Sequence, residues 1–198
     1  MMPHVKALSL FAVVIGLYAA SAPQADRNHD PQYTADGQMK LPEDYRSWVY
    51  LTTGFDMSYS ENPAAMGHHM FDNVFVNPEA YAAFVKTGTW PDKTTMVLEA
   101  RMGQGKGSIN KAGQFQAGAV MGLEVHVKDA SRFKGDWAFF GFGDSKVAKM
   151  TPQTASCYSC HSQHAAVDTT FVQFYPTLLP LAKEKKTLSE AYLKEMDK

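Results

Sequence analysis

Cys157, Cys160 and His161 are the residues whose types and spacing can do chemistry together. They stand as Cys157-Tyr158-Ser159-Cys160-His161, and the chain has no other cysteine. Two thiols three positions apart, close to one helical turn, can each add across one of two neighbouring haem vinyl groups. The histidine that follows then lies under the iron and supplies an axial nitrogen. A Cys-x-x-Cys can also be a redox dithiol or half of a zinc site. A zinc site needs two more ligands, and the sequence has no second Cys-x-x-Cys and no His-x-x-x-His. A thioredoxin-like dithiol sits early, after a strand of a βαβ unit, whereas this motif lies near the C-terminus. One haem c is therefore expected, covalently held through Cys157 and Cys160, with His161 as the metal ligand.

What the haem does depends on the sixth position of the iron. An electron carrier keeps a second protein ligand there, commonly methionine; a gas binder or an enzyme leaves it open. Met66, Met70, Met96, Met102, Met121 and Met150 are available, with His68, His69, His126 and His164. Methionine is more often a filler of irregular core gaps than a ligand. His68 and His69 are adjacent at a strand edge, so at most one faces inward. His126 falls on a face read as solvated. His164, three residues after His161, reads as a helix-surface residue or a contact to a haem propionate.

The elements that must position these groups read as an antiparallel sheet followed by helices. Residues 45–53 are rich in aromatic and β-branched types and form a first strand, or begin as a short helix at Pro42-Glu43-Asp44 that runs into Trp48. Residues 68–77 alternate as a strand. Asn77 then caps a helix with Pro78 at its first position, an apolar face of Tyr81, Phe84 and Val85, and Gly88 at its end. In the next strand, 94–101, Thr94, Met96, Leu98 and Ala100 point one way and Thr95, Val97, Glu99 and Arg101 the other. The glycine-rich 102–113 is a hairpin connection; its Gly103–Ser108 does not fit a phosphate-binding loop. A long strand over 114–128 carries Gly118 and Gly122 as bulge points, and 136–143 is an aromatic strand. Ser156 is placed as N-cap of the helix bearing Cys157 to Ala166. Residues 171–181 form an apolar tail that packs back on the domain or the cofactor, and Thr187-Leu188-Ser189-Glu190 reads as a capping box. The fold class is α+β: a single antiparallel β-sheet-rich domain with flanking helices, the haem carried on its C-terminal segment.

The chain has 198 residues and a formal net charge of −1, which gives no basis for a nucleic-acid partner. Residues 1–22 read as a cleavable signal peptide: Lys6 supplies the positive start, and the apolar run 7–20 is short for a membrane span. Residues 23–40 are polar and read as a flexible leader, leaving 41–198 as the haem domain. Export implies the periplasm.

Tyr45-Arg46-Ser47-Trp48, residues 71–81 (Phe71-Asp72-Asn73-Val74-Phe75-Val76-Asn77-Pro78-Glu79-Ala80-Tyr81), residues 84–88 and strand 94–101 resemble the cytochrome P-460 family. So do Gly122-Leu123-Glu124-Val125, Val127-Lys128-Asp129, Arg132-Phe133, residues 136–140, Cys157–His161 and residues 171–178. The resemblance runs in order through nearly the whole mature domain. It implies a β-rich, often homodimeric haem protein with His161 as proximal ligand and an open distal site. Enzymatic members oxidise hydroxylamine, with nitric oxide also in the chemistry, and carry a lysine bonded to the haem edge. Here Leu98 stands in that register and cannot make the bond. Those members also use a distal carboxylate near the haem-binding segment, and residues 151–156 contain no acid. The chain is thus most similar to the cytochrome c′-beta branch, which lacks the cross-link and binds small diatomics in an apolar pocket. The resemblance implies a nitric oxide-like or hydroxylamine-like ligand, a periplasmic redox partner and a homodimer. Leu98, Met96 and Phe71 are the expected distal wall. A hydroxylamine or nitric oxide oxidoreductase and a plain electron carrier are the alternatives.

Overall fold

The computed structural model describes residues 28–59 and 67–197. The signal segment expected at 1–22, the first residues of the expected leader and Met66 lie outside the described residues. The fold is α+β, an antiparallel sheet flanked by four helices. Five strands form a meander in chain order: β2 (Val49–Phe55), β3 (Met70–Val76), β4 (Thr95–Gln104), β5 (Phe115–Lys128) and β6 (Trp137–Gly141). A two-stranded pair joins β1 (Met39–Lys40) to β7 (Val147–Ala148). The helices are α1 (Pro78–Thr87), between β3 and β4, and α2 (Ser156–His164), α3 (Leu179–Lys185) and α4 (Glu190–Met196) after the sheet.

Residues 42–48 resolve the ambiguity at the domain start by doing both things. Tyr45–Ser47 make one 3₁₀ turn, and the strand begins at Val49. α1 has Pro78 in its first turn and stops at Gly88, whose φ of 76° is left-handed. Asn77 does not cap with its side chain; its Oδ1 accepts the Thr95 N–H at 2.8 Å, tying the helix start to β4. Phe84 and Ala80 are buried, while Val85, expected on the apolar face, is exposed. In β5 the register runs Met96 to His126, Leu98 to Glu124 and Ala100 to Gly122, then slips so that Arg101 meets Val120. A second slip before the Gly103–Gln116 pair spans Gly118. Both glycines expected at bulges therefore sit beside irregularities. The capping box is shifted: Ser189, not Thr187, caps α4 by accepting the Tyr192 N–H at 3.1 Å, and the Thr187 hydroxyl donates to Gly88 O.

Both faces of the sheet are covered, by opposite ends of the chain. On one face Val97, Val125, Val127, Ala138 and Phe140 pack with Met39, Leu41, Tyr45 and Trp48 from the N-terminal side. Residues 28–40, expected as a flexible leader, are thus folded onto the domain. Met39 is fully buried, and the Arg132 guanidinium lies 3.9 Å over the Tyr33 ring. On the other face Leu51, Val76, Met96 and Trp137 pack with α1 and with the C-terminal tail through Val172, Tyr175, Leu178 and Ala182. The apolar tail does pack back, and it gains a helix, α3, that its pattern did not announce. Covering both faces reverses one expectation: the side of β5 carrying His126 is interior, and His126 is buried.

Candidate haem site

α2 carries Cys157, Tyr158, Cys160 and His161 half-buried along one side, with both cysteines as free thiols one helical turn apart. Ser156 is the first helical residue rather than the cap; the boundary residue is Ala155, without a side-chain cap. Tyr158 fixes the helix against the sheet. Its hydroxyl donates to Thr151 O at 3.0 Å and accepts the Phe139 N–H at 3.3 Å. After α2 the chain enters a buried stretch, Ala165 to Val167, and turns back through Asp168 at a φ of 52°. The Trp90 indole locks this turn by donating to Thr170 Oγ1 at 2.7 Å.

That turn determines the chemical state of His161. The Nδ1 atom of His161 lies 2.7 Å from the carbonyl oxygen of Thr169. A carbonyl only accepts, so Nδ1 carries the proton and the lone pair of the neutral ring is on Nε2. Burial lowers the histidine below its ordinary pKa, against the opposing pull of the Thr169 bond. A neutral ring with one nitrogen hydrogen-bonded to a carbonyl and the other available is the form in which histidine binds a metal. Phe171 and Phe139 hold the ring plane, with centroids at 4.3 and 4.6 Å.

His161 faces a cavity that opens to solvent on one side. Its floor is the sheet: Thr52 and Gly54 from β2, Asp72 and Val74 from β3, Met96 and Leu98 from β4, Glu124 and His126 from β5, and Phe139 from β6. Phe171, Phe174 and Tyr175 wall the C-terminal side, and Met57 and Tyr59 reach in from the loop after β2. Cofactor pockets have mainly apolar and aromatic linings with a few placed polar groups. The residues present fit a haem in their chemistry. The cavity lining is largely apolar and aromatic, the two thiols are unpaired, and the Nε2 lone pair of His161 is left over at its edge.

Leu98 and Met96 both line this cavity, as the alternation of β4 predicts. Phe71 does not. It sits opposite Arg101 on the other face of the sheet, with its ring 4.8 Å from Phe55, so it is withdrawn from the distal wall. The error is one of phase: the β3 residues on the face of Leu98 that line the cavity are Asp72 and Val74, each one step from an aromatic. Of the other candidate ligands, Met121 and Met150 are exposed, and His164 is a surface residue with its Nδ1 3.0 Å from Glu195 Oε2 of α4.

Three of the cavity residues that the sequence did not place there bear on its chemistry. His126 was assigned to solvent. Asp72 and Glu124 are carboxylates on the cavity floor, where an apolar wall without an acid was expected. Burial, and then the charge of Asp56, raises the Asp72 carboxyl above its ordinary value. The missed signal was the register itself: Leu98 points inward, so Glu124 beside it on β5 must as well. Glu99, by contrast, faces away as its alternation predicts. It is buried on the opposite face among Tyr45, Arg46 and Arg101.

Comparison with the curated proteins returned no match. A family model described as Cytochrome P460 matches residues 42–172, from the turn before β2 through the haem motif to the first residues of the apolar tail. The match spans most of the chain and includes every strand of the large sheet, the cavity floor and His161; the chain belongs to the cytochrome P460 family.

Proposed function

We propose that this chain is an exported c-type haem protein whose iron binds nitric oxide or a similar small ligand. Cys157 and Cys160 hold the porphyrin, and His161 is the protein ligand to iron. One observation carries the reading: the Nδ1–H of His161 is committed to Thr169 O, which leaves Nε2 for a metal at the edge of a largely apolar cavity. A haem with one vacant axial position supplies the ability to bind a small diatomic. The chain's own residues supply the rest. Leu98, Val74 and Met96 give the cavity floor an apolar patch, beside the carboxylates of Asp72 and Glu124, where a small, nearly neutral molecule can lie without a hydrogen bond. His126 does not compete for the vacant position. Its ring lies 5.2 Å from that of His161, edge to face, too close for a porphyrin between them. A homodimer and a redox partner accompany this reading as proposals.

The test is a set of absorption spectra of the purified holoprotein, ferric and ferrous, with and without nitric oxide, together with intact mass. A mass increase of one haem and a high-spin five-coordinate ferrous spectrum that nitric oxide converts are expected. A low-spin six-coordinate spectrum in both redox states would instead indicate an electron carrier.

A second reading, a hydroxylamine or nitric oxide oxidoreductase, is favoured by the carboxylates. Oxidation of hydroxylamine needs a base near the bound ligand, and Asp72 and Glu124 both line the cavity. Against it stands the register that the resemblance implies, in which Leu98 occupies the place of the lysine that the enzymatic members bond to the haem. Turnover of hydroxylamine with an artificial electron acceptor, lost in Glu124→Gln, would favour the enzyme.

A further inference from the structure

We propose that His126 is a positioning residue for the proximal histidine: acting through Thr169, it sets how strongly His161 donates to the iron. The proposal rests on the reading of His161 as the iron's protein ligand.

Thr169 touches both histidines. Its backbone oxygen accepts the hydrogen bond of His161 Nδ1–H at 2.7 Å, and its hydroxyl hydrogen-bonds His126 Nε2 at 3.3 Å. His126 is 9% exposed, and burying an imidazole costs free energy unless its polar atoms find partners. Packing alone does not require a nitrogen here. The ring stacks on Phe139 at 4.0 Å and 12°, a contact that phenylalanine would make equally well. The nitrogen instead reaches the residue whose carbonyl orients His161.

The rest of the turn is held from the same direction. Lys128, two residues along β5 on the same face, donates to Trp90 O at 2.9 Å and lies 3.4 Å from Asp168 Oδ2. Trp90 in turn donates to Thr170 Oγ1. One strand and one indole thus fix residues 168, 169 and 170, and the position of the Thr169 carbonyl follows. A hydrogen bond from the non-ligating nitrogen of a metal-bound histidine raises its basicity, and mutating such outer partners typically costs about 10–100-fold in metal affinity or activity. A well-placed carbonyl strengthens the donation of His161 and favours ferric iron; a loosened one weakens it.

The test compares holoprotein variants by midpoint potential and by the ferrous iron–histidine stretching band in resonance Raman spectra. His126→Phe keeps the stacking ring and removes the nitrogen. Thr169→Val removes the hydroxyl and keeps the carbonyl. Each is expected to shift the reduction equilibrium toward ferrous iron by roughly tenfold, about 59 mV for one electron, and to lower the stretching frequency. The double variant should shift no further than either single one, and His126→Gln, whose amide can still reach the hydroxyl, should recover part of the change. Unchanged potentials, or shifts that add in the double variant, would overturn the proposal, even if unfolding midpoints fall. Should His126→Phe fail to fold, Thr169→Val alone decides. A wild-type protein that is six-coordinate and low-spin would sink the open-site reading, while the potentials would still judge His126.

Discussion

The two faces of the central sheet treat their carboxylates in opposite ways. Glu99 and Glu124 lie in adjacent strands, one residue out of phase, and so on opposite sides. Glu99 is 3% exposed at its side chain and is saturated: Arg101 Nε, Arg46 Nε and the Tyr45 hydroxyl all donate to it. Asp72 and Glu124 face the cavity, and Asp72 is held in its neutral form more readily than an ordinary aspartate. A buried carboxylate surrounded by donors is a structural device, fastening the turn at 45–47 to β4. A carboxylate on a cavity floor costs stability, and its use must be sought in what the cavity holds.

The comparison breaks first, and most completely, at the haem motif. Replacing Cys157 and Cys160 together by alanine removes both sulfurs that could form thioethers and should abolish covalent haem entirely, read as loss of the haem mass and colour in denatured protein. The same denatured-state assay on Glu99→Ala should show full haem retention. A Glu99→Ala chain that lost covalent haem would place the opposite face in the site and erase the distinction.

Stability should separate the faces in the other direction. Removing one partner of a buried ion pair strands the others, at a cost of about 3–5 kcal/mol. Glu99→Ala should fall near the lower end, about 3 kcal/mol, because the Arg46 side chain is 55% exposed and can rejoin water. Asp72→Asn should leave urea unfolding at neutral pH unchanged or raise its midpoint, by under about 1 kcal/mol after solvent screening. If Asp72→Asn destabilised as much as Glu99→Ala, Asp72 would be a structural residue too.

The two acids also predict pH dependences of opposite sign. Burial opposes ionisation of Glu99, but the Arg101, Tyr45 and Arg46 hydrogen bonds outweigh it and hold its carboxyl below the ordinary range. Its stabilisation is therefore complete above the unfolded-state value of about 4.3 and is lost as pH falls through the lower folded value. Asp72 is raised, so the folded state binds its proton more tightly than the unfolded chain does. Its contribution is present below about 3.9 and is lost as pH rises through the folded value. Unfolding curves between pH 3 and 7 should become less steep on the acid side in Glu99→Gln; Glu79 and Asp129, whose carboxyls are also lowered, keep the rest of the slope. In Asp72→Asn the drop toward neutral pH should shrink. Matching changes in both variants would contradict the assignment.

The five strands of the large sheet, the α1 boundaries and the motif were legible because each has a local cause: alternation, Pro78 and Gly88, and the spacing of Cys157, Cys160 and His161; the short β1 and β7 were not. The phase of the cavity face was only half legible. On β4 the pattern is unambiguous, and Met96 and Leu98 line the cavity as expected. On β5, Leu123, Val125 and Val127 read as the only buried side because they are apolar. What hides the other side is tertiary: the C-terminal tail, some 50 residues later, covers it and makes His126 interior. Residues 28–40 misled for the same reason, since polar composition does not reveal that Met39 and Tyr33 will find a sheet face. β3 carries Phe71, Asn73 and Phe75 on one side and Asp72, Val74 and Val76 on the other. Hydrophobicity pointed to Phe71, whereas strand pairing puts Val74 opposite Leu98.

That last pair provides the finest discrimination between the faces. Leu98→Phe adds bulk to the cavity floor, whereas Phe71→Ala removes bulk from the far side of the same sheet. Phe71 is half-buried against Phe55, so its truncation should cost less than the roughly 3–5 kcal/mol typical of a core phenylalanine. The rate at which the ferrous haem binds nitric oxide or carbon monoxide should be unaffected. Leu98→Phe should slow that rate, with the unfolding midpoint changed by no more than about 1–3 kcal/mol of overpacking strain. Flash photolysis of the carbonyl complex reads both variants on one scale. A slower rebinding in Phe71→Ala than in Leu98→Phe would mean that the ligand approaches from the other face, because adjacent strands cannot present both side chains to one cavity without a slip of register.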